Sequence, residues 1–270
     1  MVLPLGDVQR TRIVPYTTYL LIALNVAIYL LQVEQGDRFT VSHAATPYEI
    51  THRVDLDHPV RFDTQTADSD PAGADPDNSL IEQGPVGFPI WLTLLTSLFL
   101  HGSPLHLAGN MLYLWIFGDN VEEVLGAVRY VAVYLVCGVS GTLLQIAANP
   151  NSLLPTLGAS GAIAGLMGIY VFWFPRHRMR VLVFQWITEM PAIVVVGFWI
   201  VVQVALSLNS LSQTGRSGGV AYLAHVGGAM AGLVFAVLYR RRAIAFQAKD
   251  YDDAWFDRAE IDSDESAEKS

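Results

Sequence analysis

The chain has 270 residues, 52% of them hydrophobic and only 15% charged, with a formal net charge of −9. A soluble domain carries about a quarter charged residues, so much of this chain belongs in lipid, and its length allows one helical membrane domain. The acidic balance argues against a nucleic-acid partner, which would need a basic face to neutralise phosphates; the lone Cys137, inside an apolar run, excludes an intrachain disulfide and reads as a small core residue.

A hydrocarbon core of about 30 Å takes roughly 20 apolar helical residues. After a short N-terminal segment (1–15), the first such run is Tyr16 to about Val33. It reads as a retained helix, because it is long and no small-x-small cleavage site follows in LLQVEQGD. Residues 34–103 then form a large external loop. Its Asp-, Pro- and Gly-rich part, Glu34 to Gly87, is a solvated insertion, whereas the apolar Phe88–Leu100 is too short to span and fits a re-entrant or interfacial element. Further spans are expected at about Pro104–Val124, Ala127–Ala148, Gly158–Phe174, Val183–Leu208 and Val220–Tyr239, about six in all. The membrane domain therefore covers 16–242, and the acidic tail, 243–270, is expected to be disordered and solvated.

Arginine sets the direction. Arg10 and Arg12 precede the first span, Arg129 lies between the second and third, Arg176, Arg178 and Arg180 between the fourth and fifth, and Arg240–Arg242 after the last. All fall on one side if both termini are cytoplasmic.

Polar groups at membrane depth are costly and therefore candidates for function. The first set lies in HGSPLHLAGNMLYLWIFGDN, where His106 and Asn110 are four residues apart and share a helix face. Interhelical hydrogen bonding is the plainer role for either one alone. The second is TLGASGAIAGLMG. Asn149-Pro150 and Pro155 keep the chain before Ser160 from being helical, and an apolar helix follows at once. Non-helical backbone at that depth must line protein or a wet cavity. Ser160 thus stands at a helix N-terminus whose free N–H groups suit a developing oxyanion. Gly161 and Gly165 form GxxxG, which alone means close packing. The third is AYLAHVGGAMAG, in which Ala221, His225, Gly228 and Gly232 lie on one stripe. A helix with that stripe delivers an imidazole to a close neighbour. If the neighbour is the Gly161/Gly165/Gly168 helix, His225 reaches Ser160 as the base that a weak nucleophile needs.

The order and spacing of His101…His106…Asn110, the GASG around Ser160 and the AHxxG at His225 resemble the rhomboid family of intramembrane serine proteases. The resemblance covers the span region. It implies an all-α polytopic fold, a six-transmembrane-helix rhomboid-like bundle, with Ser160 as nucleophile and His225 as general base. It further implies an oxyanion site of His106, Asn110 and the Ser160 backbone N–H. Gly158 would shape the turn before the nucleophile, and Gly161, Gly228, His101, Glu122 and Gly126 would be supporting residues. Two positions depart from the family pattern. Family members often carry an aromatic residue four positions after the nucleophile, packed on the imidazole, where this chain has Ala164. Many carry Trp-Arg early in the first external loop, where this chain has Trp91 followed by Leu92 and Thr93.

The implied function is cleavage of single-span or multi-span membrane proteins near the outer end of a locally unstable transmembrane helix, in a lipid bilayer, with neither metal nor cofactor. A prokaryotic plasma membrane is the expected location. Zinc chemistry lacks an H-E-x-x-H, and an aspartyl protease would need facing Asp residues within spans. An α/β-hydrolase elbow would need a strand before it and Gly in place of Ala162. The alternative from another class is an inactive rhomboid-like protein that binds membrane clients for quality control without cutting them.

Overall fold

The computed structural model describes residues 2–9, 11–61, 80–81, 83–212 and 221–248. In chain order the elements are β1 (Val2–Asp7), α1 (Tyr16–Gln35), α2 (Asp37–Ser42), α3 (Pro47–His52), β2 (Val60–Arg61), β3 (Leu80–Ile81), α4 (Thr93–Thr96), α5 (Pro104–Leu125), α6 (Ala127–Ala148), α7 (Ser160–Trp173), β4 (Arg178–Val183), β5 (Trp186–Pro191), α8 (Ala192–Ser212), α9 (Tyr222–Leu238) and α10 (Arg240–Ala248).

Length and composition make α1, α6 and the Ala192–Asn209 part of α8 able to cross a bilayer alone. Two bent pairs bring the candidates to five. One joins Ile90–Phe99 to α5 at 77°, and the other joins α9 to α10 at 63°. The sixth expected span, α7, has only 14 residues. At about 1.5 Å per residue its helix alone falls short of a core of about 30 Å, so a crossing there would include the non-helical chain before Ser160. The described residues therefore give three to five spanning candidates instead of six.

The bundle has an apolar core and also an apolar outer face, as lipid demands. Leu20, Leu30, Val201, Leu208, Met230 and Val234 point outward and exposed, while Thr18, Asn25, Gln32, Asn110, Glu122 and Gln203 are buried. With no water in the hydrocarbon, polar groups must find partners within the protein. Glu122 is the clearest case. No side chain of its own segment caps α1. Instead the Glu122 carboxylate accepts from Thr17 N (2.9 Å), Thr18 N (2.8 Å) and Thr18 Oγ1 (2.8 Å). It satisfies the orphan donors of α1 from across the bundle. At the end of α5, Gly126 takes φ +75° and turns directly into α6.

The all-α expectation needs correction at one end of the bundle. A three-stranded antiparallel sheet, ordered β1-β4-β5, occupies the connection between α7 and α8, with Val2 opposite Val183 and Val183 opposite Trp186. The fifth span consequently begins at Ala192 and not at Val183. In the sequence VLVFQWITEMPAIVVV a strand pair and a helix merge into one apolar run, so hydropathy alone does not divide them. The sheet also fixes relative position. The N-terminal strand pairs with the connection that carries Arg178 and Arg180. The Asp7 carboxylate accepts from the Tyr170 hydroxyl and from Asn120 Nδ2 (3.3 Å). Gln247 of α10 donates to Trp173 O (2.8 Å). The N-terminal segment, the α7–α8 connection and the C-terminal helix thus share one end of the molecule. That helix also carries regular structure past residue 242 to Ala248, and the remainder of the acidic tail lies outside the described residues.

Candidate active site

Ser160 is the first residue of α7, and the loop before it is held at several points. Ala45 and Thr156 exchange backbone hydrogen bonds (3.0 and 2.9 Å), Tyr48 N donates to Ser152 O (3.0 Å), Thr51 Oγ1 donates to Pro150 O (2.7 Å), and Gly158 N donates to Ser97 O (2.8 Å). The loop after α1 is thus more than a solvated insertion: its segment from Ala45 to Thr51 clamps the stretch of chain that delivers Ser160. Gly158 has φ +124°, open to glycine and strained for other residues.

Glycines bring α7 and α9 together. A Cβ on Gly228 would fall 2.8 Å from the carbonyl carbon of Gly161, and one on Gly232 would fall 2.7 Å from that of Gly165. A Cβ on Gly168 would meet Ala229 O at 2.8 Å, and α6 joins the same packing, with Gly141 facing the Ala224 backbone. Trp173 Nε1 donates to Ala236 O (2.9 Å) and pins the other end of the pair.

At that seam His225 Nε2 lies 2.8 Å from Ser160 Oγ, and His225 Nδ1 lies 2.8 Å from Gln203 Oε1 of α8. The imidazole is 9% exposed, under Trp199 (ring centroids 5.7 Å apart, 36° between planes) and edge-on to Tyr222 (6.4 Å). A neutral imidazole has one donor and one acceptor nitrogen. With Nδ1–H given to the Gln203 carbonyl oxygen, the Nε2 lone pair faces the serine hydroxyl. The two residues singled out from sequence, 65 positions apart, therefore meet within hydrogen-bond distance.

The other expected residues gather on the far side of the same loop. A Cβ at position 158 would lie 2.8 Å from His106 Cε1, 2.9 Å from His106 Nε2 and 3.7 Å from Asn110 Nδ2, so the glycine admits both side chains beside the turn into Ser160. His106 N donates to Ser103 Oγ (3.1 Å), the cap of α5. Asn110 Nδ2 lies 2.9 Å from His101 Nε2, while His101 Nδ1 lies 3.3 Å from Phe99 O. One tautomer satisfies both contacts. Nδ1–H donates to the carbonyl, Nε2 accepts from the amide, and the second N–H of Asn110 is left for another acceptor. His101 is itself locked to α1, since Gln32 Oε1 accepts from His101 N (2.9 Å) and Gln32 Nε2 donates to His101 O (3.1 Å).

Gln203 and Trp199 were not among the residues picked out from sequence. The signal was present: Gln203 is a lone amide deep in AIVVVGFWIVVQVAL, and a polar side chain in such a run calls for a partner. With Ala164 buried where family members often place an aromatic residue, Trp199 supplies a ring against His225 from a different helix.

Residues 89–242, more than half of the chain, match the Rhomboid domain. Rhomboid protein 1, mitochondrial, of Saccharomyces cerevisiae is 30% identical over 148 residues, which are 53% of this chain and 40% of that protein. Rhomboid protease GluP of Bacillus subtilis is 40% identical over 96 residues, 36% of this chain and 17% of that protein. Rhomboid-like protein 11, chloroplastic, of Arabidopsis thaliana is 31% identical over 172 residues, covering 60% and 58% respectively. The chain spans less than two thirds of the length of each of these relatives. An integral, multi-pass helical chain with the Rhomboid domain across more than half its length belongs to the rhomboid family.

Proposed function

We propose that the chain is an intramembrane serine endopeptidase, with Ser160 as nucleophile and His225 as general base. The observation that carries this is the 2.8 Å approach of Ser160 Oγ to His225 Nε2. His225 takes the serine proton as Oγ attacks the scissile carbonyl carbon. The proton passes to the leaving amine, an ester to Ser160 remains, and water hydrolyses it with the imidazole again as base. Asn110, His106 and the Ser160 N–H meet the charge on the tetrahedral oxygen, and Gly158, Gly161, Gly228, His101 and Glu122 hold these parts in place. No metal or cofactor enters the scheme.

The substrates are single-span or multi-span membrane proteins. An apolar cleft of about 180 Å³ lies between α5 and α8 and extends to Pro4 of β1, and its wall residue Trp199 also packs on His225, which is consistent with entry from lipid. If Trp173 marks the opposite boundary, the shortness of α7 leaves Ser160 roughly 9 Å inside a 30 Å core. Six membrane crossings over 16–242 complete the proposal, α7 being the short one, with the external loop over 34–103. Both termini are cytoplasmic in this reading, which the arginine excess at the shared end supports. A prokaryotic plasma membrane is the proposed location; the mitochondrial and chloroplastic names among the relatives lend it no support.

The test is reconstitution in liposomes with a panel of single-span substrates, comparing the chain with Ser160→Ala. Cleavage by the first and none by the second supports the proposal. A protein that only holds clients would bind these substrates, leave them whole and be indifferent to the substitution.

A further inference from the structure

We propose that Gln203 is a positioning residue for this reaction: its side-chain carbonyl accepts the Nδ1–H of His225 and holds the imidazole in the tautomer whose Nε2 lone pair faces Ser160. The inference rests on the protease reading above and deepens it.

For Nε2 to take the serine proton it must start without one, so the ring proton must sit on Nδ1 and find an acceptor there. Among the described residues the hydrogen-bond partners of the ring nitrogens are Gln203 Oε1 and Ser160 Oγ, each at 2.8 Å. An amide can present either face. The carbonyl face accepts from Nδ1–H; the NH₂ face would donate, drive the ring proton to Nε2 and leave the serine facing a donor. His225 thus selects the carbonyl face, and Gln203 selects the useful tautomer.

Gln203 is 8% exposed within the apolar run AIVVVGFWIVVQVAL, and burying an unpaired amide costs free energy, so the bond to His225 also explains the residue's presence. Trp199 and Gln203 are four residues apart and share one face of α8. That face supplies both the ring that Ala164 does not and the acceptor that a carboxylate supplies in a three-residue triad. A neutral amide holds the ring as a carboxylate would, but adds no negative charge to the imidazolium formed in the reaction.

The experiment measures kcat and KM against pH for the full chain in liposomes with a single-span substrate, for wild type, Ser160→Ala, Gln203→Leu and Gln203→Glu. Gln203→Leu removes the acceptor and should lower kcat about 100-fold or more with KM little changed, since a wrong tautomer alone is worth up to about 10⁴ in a serine triad. Gln203→Glu restores an acceptor. It should recover most of kcat and move the acid limb of kcat/KM to higher pH, because a carboxylate there favours the protonated imidazole. Wild-type kcat in Gln203→Leu, or Gln203→Glu as inactive as Gln203→Leu, overturns the inference. If Gln203→Leu does not fold, Gln203→Glu decides alone: a displaced acid limb supports the inference and an unmoved one defeats it. Wild type as inert as Ser160→Ala sinks the protease reading and this inference together. An active wild type with indifferent Gln203 variants removes only the positioning role.

Discussion

Gly228 of α9 faces Gly161 of α7 backbone to backbone, and a methyl group at 228 would lie 2.8 Å from the Gly161 carbonyl carbon. Backbone cannot yield as a flexible side chain can. Gly228→Ala should therefore push α9 away, cost about 1–3 kcal/mol as overpacking does, and separate His225 from Ser160. Turnover more than about tenfold lower, together with a lower Tm, is the expected outcome. Unchanged kcat in a folded Gly228→Ala would show that the seam does not set the dyad distance.

Gly158 is a different case, because φ +124° and the His106 ring both reject a side chain there. Gly158→Ala should displace the loop or swing His106 aside. The expected result is a kcat loss of about 100-fold, comparable to losing one oxyanion donor at about 2.7–4 kcal/mol, with KM little moved. A pure rise in KM would point to a role in binding alone.

Glu122 holds α1 to the bundle. Glu122→Ala would leave the N–H groups of Thr17 and Thr18 and the Thr18 hydroxyl without their acceptor. A loss of about 3 kcal/mol or more is expected at about 1–3 kcal/mol per buried unpaired group. Glu122→Gln, which keeps one acceptor oxygen, should lose less. Thermal unfolding in detergent orders the three proteins; equal Tm values would refute the cap.

The clamp on the Ser160 loop carries a pH dependence. Burial pushes the Glu49 carboxyl above its ordinary value of 4.5, outweighing the hydrogen bonds from the Leu56 N–H and the Thr46 and Gln83 side chains. A carboxyl raised by folding contributes stability while protonated; that contribution is full below the ordinary value and disappears as pH rises through the raised one. Amide protection factors in α3 should therefore fall as pH rises above 4.5, and the Glu49→Gln protein should show a flatter profile. A wild-type profile as flat as that of the variant would contradict this.

The approach of His225 to Ser160 was legible in the sequence because each residue sits in a small-residue motif that brings helices close together at membrane depth. His106 and Asn110 were legible as polar groups four residues apart on one helix face, and His101 as part of the family resemblance. Other features were not, for identifiable reasons. Residues 178–191 are strands embedded in an apolar stretch that runs on into α8, so the hairpin is hidden until β1 pairs with it. Gln203 and Trp199 act on His225 across helices, and no spacing along the chain encodes that contact. The clamp of Ala45–Thr51 on the Ser160 loop depends on pairings about 100 residues apart in an insertion whose composition indicates only solvation.

The most direct measurement is covalent labelling of the purified full chain with a fluorophosphonate, read by mass spectrometry and compared with Ser160→Ala and His225→Ala. A single adduct on Ser160 is expected, absent in Ser160→Ala and slowed by orders of magnitude in His225→Ala. Labelling of Ser160 at the same rate without His225, or no adduct on Ser160 in a chain that cleaves substrate, would contradict the proposed roles of the two residues.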